Sequence, residues 1–137
     1  MPSYRPHLRP AEPYNHTGLT GQFPRKIGHA VLAMNCSRVV VSNTSTNHSA
    51  VAALKHGHET GGLSGKPIAQ ASNQMIKLIN EYTQHALPII GVGGISSSQD
   101  AVDKIHCGAS LVQVYSGLIY KGLCLIQQAI QATEACS

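Results

Sequence analysis

Three short apolar runs separated by helical patterns constrain this chain most. They are Arg38-Val39-Val40-Val41, Leu87-Pro88-Ile89-Ile90 and Ser110-Leu111-Val112-Gln113-Val114-Tyr115. The first is β-branched and ends abruptly at Ser42-Asn43-Thr44, which are polar turn formers. A fully apolar run of this kind suits a parallel strand covered on both faces. Pro88 is tolerable at the start of the second run, since a first strand residue need not donate to the ladder.

The segments between these runs read as helices. Ile27 to Met34 suits a short helix ending near Asn35. Ser72 is placed as an N-cap, after which Met75, Leu78, Ile79 and Tyr82 fall on one helical face. Ser96, Ser97 and Ser98 offer caps to a third helix, with Gln99 or Asp100 positioned for a capping box. Ala101, Val102 and Ile105 form its inner face, and Gly108 suits its C′ position. Gly117 to Gly122 is a loop or a helical turn, and Leu123 to Ala135 is a last helix presenting Ile126, Ala129, Ile130 and Thr133. Strands joined in this order by helices form a parallel α/β sheet with right-handed crossovers.

Composition agrees with a packed aliphatic core. Of 137 residues, 42% are hydrophobic and only 12% charged, with no Trp and one Phe. The +4 net charge is scattered, without basic runs carrying interleaved aromatics, so no nucleic-acid partner is expected. Cys36, Cys107, Cys124 and Cys136 form no C-x-x-C pair and read as free thiols. His56 and His58 lie close together but lack further ligands at metal spacing, so no metal site is expected. No apolar stretch of about eighteen residues is present. The N-x-[ST] matches at Asn15, Asn35, Asn43 and Asn47 come without a secretory signal and read as chance.

Residues 1–26 differ from the rest. Pro2, Pro6, Pro10, Pro13 and Pro24 fall there, with Arg5, Arg9, Arg25 and Lys26 against the single acid Glu12. The expectation is an extended, disordered leader before a domain at 27–137. Its basic, acid-poor composition suits a mitochondrial address, although prolines prevent the amphipathic helix such an address uses.

Two loops carry the chemistry. The long one from Ser45 to about Ser72 contains Glu59-Thr60-Gly61-Gly62-Leu63-Ser64-Gly65-Lys66-Pro67. Its glycines imply a fixed, tight backbone path, and loops of such length in compact domains are usually functional or disordered. The second is Gly91-Val92-Gly93-Gly94, directly after an apolar strand. A Walker A loop fails, because only three residues separate Gly61 from Gly65 and Pro67 follows Lys66. A dinucleotide fingerprint fails, because Ser96 occupies the third glycine position. The remaining alternatives are two ordinary tight turns or the phosphate site of a (β/α)₈ barrel, built by the loops after its last two strands. In the second case Gly93 and Gly94 supply backbone N–H groups, and Tyr115, Ser116 and Gly117 follow the next strand. Each loop leads toward a helical N-terminus, where an anion is favoured by about 0.3–1 kcal/mol.

The segments Glu59 to Pro67, Leu87 to Ile95 and Gly108 to Ser116, in this order and spacing, resemble the dihydroorotate dehydrogenases, particularly the quinone-reducing class 2 enzymes. The resemblance covers about residues 27–137. It implies the last three β/α units of an incomplete (β/α)₈ TIM barrel. It also implies FMN-dependent oxidation of dihydroorotate to orotate in pyrimidine synthesis, ubiquinone as acceptor, and placement at the mitochondrial inner membrane. Under this resemblance, Ser42, Gly65, Gly93, Gly94, Tyr115 and Ser116 bind FMN. Ser42 stands where the family more often has Thr. Asn43 and Thr44 match the pair that hydrogen-bonds the pyrimidine and its carboxylate; an amide donates and accepts, and a hydroxyl does either.

The resemblance also implies what this stretch lacks. The family's catalytic base, a serine in class 2, lies on a loop of the first barrel half, with the lysine that reaches the flavin. Membrane association belongs to helices preceding that half. Leu123-Cys124 departs from the prolines that often begin the last helix. The expectation is therefore a truncated dihydroorotate dehydrogenase without its own catalytic residue, inactive in isolation. The alternative is a non-catalytic remnant that binds FMN or phosphate weakly or not at all. A different FMN or phosphate barrel is disfavoured, because the Thr60 to Pro67 loop suits no rival. Three strands cannot close a barrel, so exposed edges and marginal stability are expected.

Overall fold

The computed structural model describes residues 22–136. Residues 1–21, most of the expected leader, lie outside them. Three parallel strands, β1 (Val39–Val41), β2 (Ile89–Val92) and β3 (Leu111–Gln113), form one sheet in the order β1-β2-β3. Val39, Val40 and Val41 stand opposite Ile89, Ile90 and Gly91, and Ile90, Gly91 and Val92 stand opposite Leu111, Val112 and Gln113. Helices α1 (Gln22–Ala33), α2 (Ala69–Tyr82), α3 (Ser98–His106), α4 (Ser116–Lys121) and α5 (Cys124–Glu134) follow the expected alternation, with 3₁₀ turns at Ser49–Val51 and Lys66–Ile68.

Side chains alternate across a strand, so this register assigns two faces. Val41, Ile89 and Gly91 face α2 and α3; the core there joins Val41, Ile89 and Ala109 to Met75, Ile76 and Ile79 of α2. A second cluster joins Ile95, Ala101 and Ala129, flanked by Val112 and Val114. The opposite face carries Val40, Ile90, Val92, Leu111 and Gln113. Among the described residues nothing covers it: Val40 is 53% exposed and Leu111 61%. Strands expected to be covered on both faces are covered on one.

The helix termini repay inspection. Helix α1 begins at Gln22, five residues before the expected start, and takes in Pro24. Proline is acceptable there because the N–H groups of a first helical turn have no intrahelical acceptor to lose. Gly28 lets α1 approach α2, since a Cβ there would lie 2.2 Å from the Tyr82 ring. The Arg25 guanidinium stands 5.9 Å from the centroid of that ring. Helix α2 begins at Ala69, so Ser72 is not its cap. Ser72 is instead buried one turn inside, donating to the Val92 carbonyl of β2. The serine signal was real, but a tertiary acceptor won over a local one.

Helix α3 behaves as expected. Ser97 is its N-cap and accepts from the Asp100 N–H. The Asp100 carboxylate in turn receives the Ser96 N–H at 2.9 Å and the Ser96 and Ser97 hydroxyls at 3.0 and 2.8 Å. At its other end, Gly108 donates to Ile105 and Ala109 to Lys104, the paired bonds of a Schellman closure. Helix α5 buries Leu125 and Ala129, while Ile126 and Ile130 of the expected face are exposed. Leu125 and Ala129 are four apart, so the inner stripe is rotated by one residue.

Burial raises the pKa of the Asp100 carboxyl, but the hydrogen bonds from Ser96 and Ser97 lower it by more, leaving it below 3.8. A carboxyl whose pKa is lowered by folding adds stability that is complete above its unfolded value and lost as pH falls through the folded one. Asp100→Asn is expected to lower the melting temperature at pH 7 and to flatten the loss of stability below about pH 4, measured by thermal denaturation across pH. The uncovered face and open edges predict that the 137-residue chain associates. Leu111→Lys is expected to raise the soluble monomer fraction with little change in melting temperature; a wild-type chain that elutes as a monomer and unfolds cooperatively would contradict this.

Candidate functional site

The C-terminal ends of the three strands open into one cleft of about 560 Å³. Such ends carry the sites of barrel enzymes, because the strand-to-helix loops converge there. The eight residues assigned to FMN and substrate by the resemblance line it: Ser42, Asn43 and Thr44 after β1, Gly65 from the long loop, Gly93 and Gly94 after β2, and Tyr115 and Ser116 after β3, whereas Gly117 packs against Ile95 and Leu125 instead. Ser64, Gln113, Val40, Ile68, Val92 and Ile95 complete the wall. Two of these had a readable signal. Ser64 adjoins Gly65 within the glycine-rich segment, and Gln113 is the lone polar residue in an apolar strand.

The β1 end is shaped by the long loop. Ser45 and Leu63 exchange both backbone hydrogen bonds, at 2.9 and 2.7 Å, so the excursion between them returns to its starting point. This return lays Gly62 against Thr44, where a Cβ would sit 2.0 Å from the threonine hydroxyl. The Asn43 Oδ1 accepts the Thr44 N–H at 2.8 Å. The Val41–Ser42 peptide is cis.

The glycine turn is built by close approach. Gly93 and Gly94 have φ of +106° and +80°. A Cβ on Gly94 would lie 2.4 Å from the Ala69 Cβ and 2.5 Å from its Cα. Only glycine satisfies both the dihedral and the contact. Across the cleft, Ser64 and Ser116 hydroxyls stand 2.9 Å apart, tying the long loop to the start of α4. The sequence reading expected helix dipoles behind both loops. The start of α3 is already capped by Ser97 and bears the Asp100 carboxylate, so it offers an anion little. Backbone N–H groups of the turn and the Ser116 and Ser64 hydroxyls remain as donors.

Among the described residues, none lining the cleft is an Asp, Glu, Lys, Arg or His. Among the described residues, no three His, Cys, Asp or Glu side chains come together as metal ligands. His56 instead meets Glu59, at 2.6 Å, on the surface. No described helix is long and apolar enough to cross a membrane.

The cleft suits the phosphate end of a flavin nucleotide. Its floor is bare backbone at Gly65, Gly93 and Gly94, and the Cβ that Gly65 lacks would point toward Ser116 at 3.7 Å. The hydroxyl-bearing residues Ser42, Thr44, Ser64, Tyr115 and Ser116 line the same cleft.

Comparison with known proteins agrees with this geometry. The family model for dihydroorotate dehydrogenase matches residues 19–136. The dihydroorotate dehydrogenase (quinone) of Paracidovorax citrulli is 46% identical over 111 residues, covering 77% of this chain and 31% of the relative. That of Verminephrobacter eiseniae is 50% identical over 97 residues, covering 71% and 27%. In structure, the ferulenol complex of DHODH from Eimeria tenella superposes with a TM-score of 0.74 at 29% identity, over 83% of this chain and 31% of that one. The ligand-free form from the same organism gives 0.76 at 29% identity, over 83% and 32%. The chain thus spans about a third of the length of the relatives it matches. Its sheet is a run of β/α units of the TIM-barrel type, and the chain belongs to the dihydroorotate dehydrogenase family.

Proposed function

We propose that this chain carries the flavin-phosphate and pyrimidine-binding part of a quinone-linked dihydroorotate dehydrogenase, which oxidises dihydroorotate to orotate in pyrimidine synthesis. The observation that carries this reading is the convergence of Ser42, Asn43, Thr44, Gly65, Gly93, Gly94, Tyr115 and Ser116 on one cleft, from four separate stretches of sequence.

Within that reading, Gly93 and Gly94 offer backbone N–H groups to the phosphate of FMN, and Ser116 adds a hydroxyl from the facing loop. Ser64 orients that hydroxyl by its 2.9 Å contact. Gly65 gives the cofactor a close backbone approach, and Ser42 and Tyr115 border it. Bound FMN supplies the hydride acceptor of the reaction. Asn43, its Oδ1 already accepting the Thr44 N–H, offers its amide NH₂ to a carbonyl oxygen of the pyrimidine ring. The Thr44 hydroxyl, beside which only a glycine fits at position 62, donates to the substrate carboxylate. None of these side chains is a base suited to take the substrate proton, so no catalytic residue is assigned among them. Ubiquinone as acceptor and the mitochondrial inner membrane as location follow the class 2 resemblance, and we extend them to this protein on that ground.

The purified chain is expected to show flavin absorbance, followed by bleaching on addition of dihydroorotate where the activity is complete. Flavin that does not bleach favours a non-catalytic binding remnant; absence of flavin even after incubation with FMN counts against the cofactor assignment. Gly94→Ala is expected to remove flavin and to cost on the order of 2 kcal/mol or more in stability, through its left-handed backbone and the contact with Ala69. Asn43→Ala is expected to leave flavin content unchanged and to weaken orotate binding roughly tenfold to a hundredfold, the worth of about 1–3 kcal/mol for a lost buried hydrogen bond. Titration of flavin fluorescence or absorbance with orotate measures it.

A further inference from the structure

Behind the glycine turn lies a charged group that the proposed chemistry does not use. Lys104 of α3 is 1% exposed. Its Nζ donates to the Ser72 hydroxyl at 3.0 Å and to the Asn73 Oδ1 at 2.8 Å. Both acceptors are neutral, and among the described residues no carboxylate comes within ion-pair distance of it. Ser72 passes its own hydrogen on to the Val92 carbonyl, which also accepts the N–H of Ser42, the residue just after β1. The Lys104 stem lies along Gly91, where a Cβ would meet its Cδ at 3.1 Å. The ammonium, a serine hydroxyl and the last carbonyl of β2 therefore form one chain of hydrogen bonds.

That carbonyl belongs to the peptide joining Val92 to Gly93. A peptide is planar and trans, so anchoring its oxygen on the β1 side directs the Gly93 N–H to the β3 side, where Tyr115 and Ser116 stand. Among the described residues the cleft wall holds no Lys, Arg or His side chain, and Lys104 is the buried positive charge bonded most closely to the turn. A long cation on a helix surface would ordinarily reach water; here it is folded inward at the cost of its hydration.

We infer that Lys104 is a positioning residue for the anion-binding turn, setting the Gly93 N–H through Ser72 and making anion affinity depend on its own charge. This rests on the reading of the cleft as a flavin-phosphate site. Burial lowers the Lys104 pKa to about 8, partly offset by Cys107, Asp100 and Asp103. These three belong to α3 and its C-cap; from α2 the neutral Ser72 and Asn73 face Lys104, with Lys77 acting on Cys107, and β2 offers only Gly91. Below pH 8 the ammonium is present and favours an anion. Above it the charge is lost and affinity falls.

The test uses the full chain in two measurements. Without ligand, amide NMR signals of Gly93 and Gly94 are expected to titrate between pH 7 and 9.5 with a midpoint near 8. That titration disappears in Lys104→Met and shrinks in Ser72→Ala, which keeps the charge but breaks the relay. With FMN as probe, affinity is expected to fall roughly threefold to tenfold over the same range. It becomes independent of pH in Lys104→Met at the weaker value and in Lys104→Arg at the stronger one. Where Lys104→Met does not fold, Ser72→Ala decides. Glycine signals that stay still in the wild-type chain, or titrate unchanged in Ser72→Ala, overturn the inference. Failure to bind FMN at any pH defeats the flavin reading instead, and leaves the ligand-free titration to judge Lys104 alone.

Discussion

The turn at Gly93-Gly94 lies directly on the first residue of α2, with no room for a side chain between Gly94 and Ala69. Much of the molecule is arranged around this approach. It fixes how far α2 slides along the sheet, and so which of its residues reach the core: Met75, Ile76 and Ile79 meet Val41 and Ile89 only at that offset. It also brings the long loop to the cleft, since Gly65 and Ser64 immediately precede the 3₁₀ turn that leads into α2. A site assembled from loops is here positioned by a packing contact between a helix backbone and a turn.

The polar relay beneath that contact runs against the general economy of folding. An interior ammonium bonded only to neutral groups is disfavoured, and folding lowers its pKa from 10.5 to about 8. A lysine replaced by an apolar side chain of similar length would often serve stability as well or better. Its neighbours explain how it is tolerated. The aliphatic stem fills space left by Gly91, and the Ser72 and Asn73 oxygens supply acceptors at normal distances. Stability alone gives little reason for a cation there, whereas a cleft walled by neutral donors does.

Much of this was legible in the sequence, and the exceptions share a cause. Apolar runs separated by helical patterns gave the parallel sheet, and Gly108 and Ser97 marked the ends of α3, because these signals act within a few residues. Ser42, Asn43, Thr44, Gly65, Gly93, Gly94, Tyr115 and Ser116, which the resemblance singles out, come together on one cleft because strand-end loops converge. Ser72 was misread as a cap, because its partner Val92 lies across the core and no local pattern announces it. Lys104 reads as an ordinary surface lysine for the same reason. Pro24 suggested a leader, yet it sits in the first turn of α1, where a proline does no harm. The covered strand face was anticipated on both sides; Val40 and Leu111 show that apolar composition alone does not reveal what lies opposite.

The pairing of Ser45 with Leu63 has a wider meaning for the site. It closes the excursion between them into a loop with its own base, so that the mouth beside Thr44 is held by two backbone hydrogen bonds and by the close packing of Gly62. Lengthening a closed loop costs little, about 0.6 kcal/mol for each doubling. The stretch carrying Leu54, His56 and His58 contributes no residue to the wall of that cleft. Apart from Gly57, where a Cβ would lie 1.9 Å from the Val51 carbonyl oxygen, it is a part of the surface where the chain can lengthen at little cost to the pocket beside it.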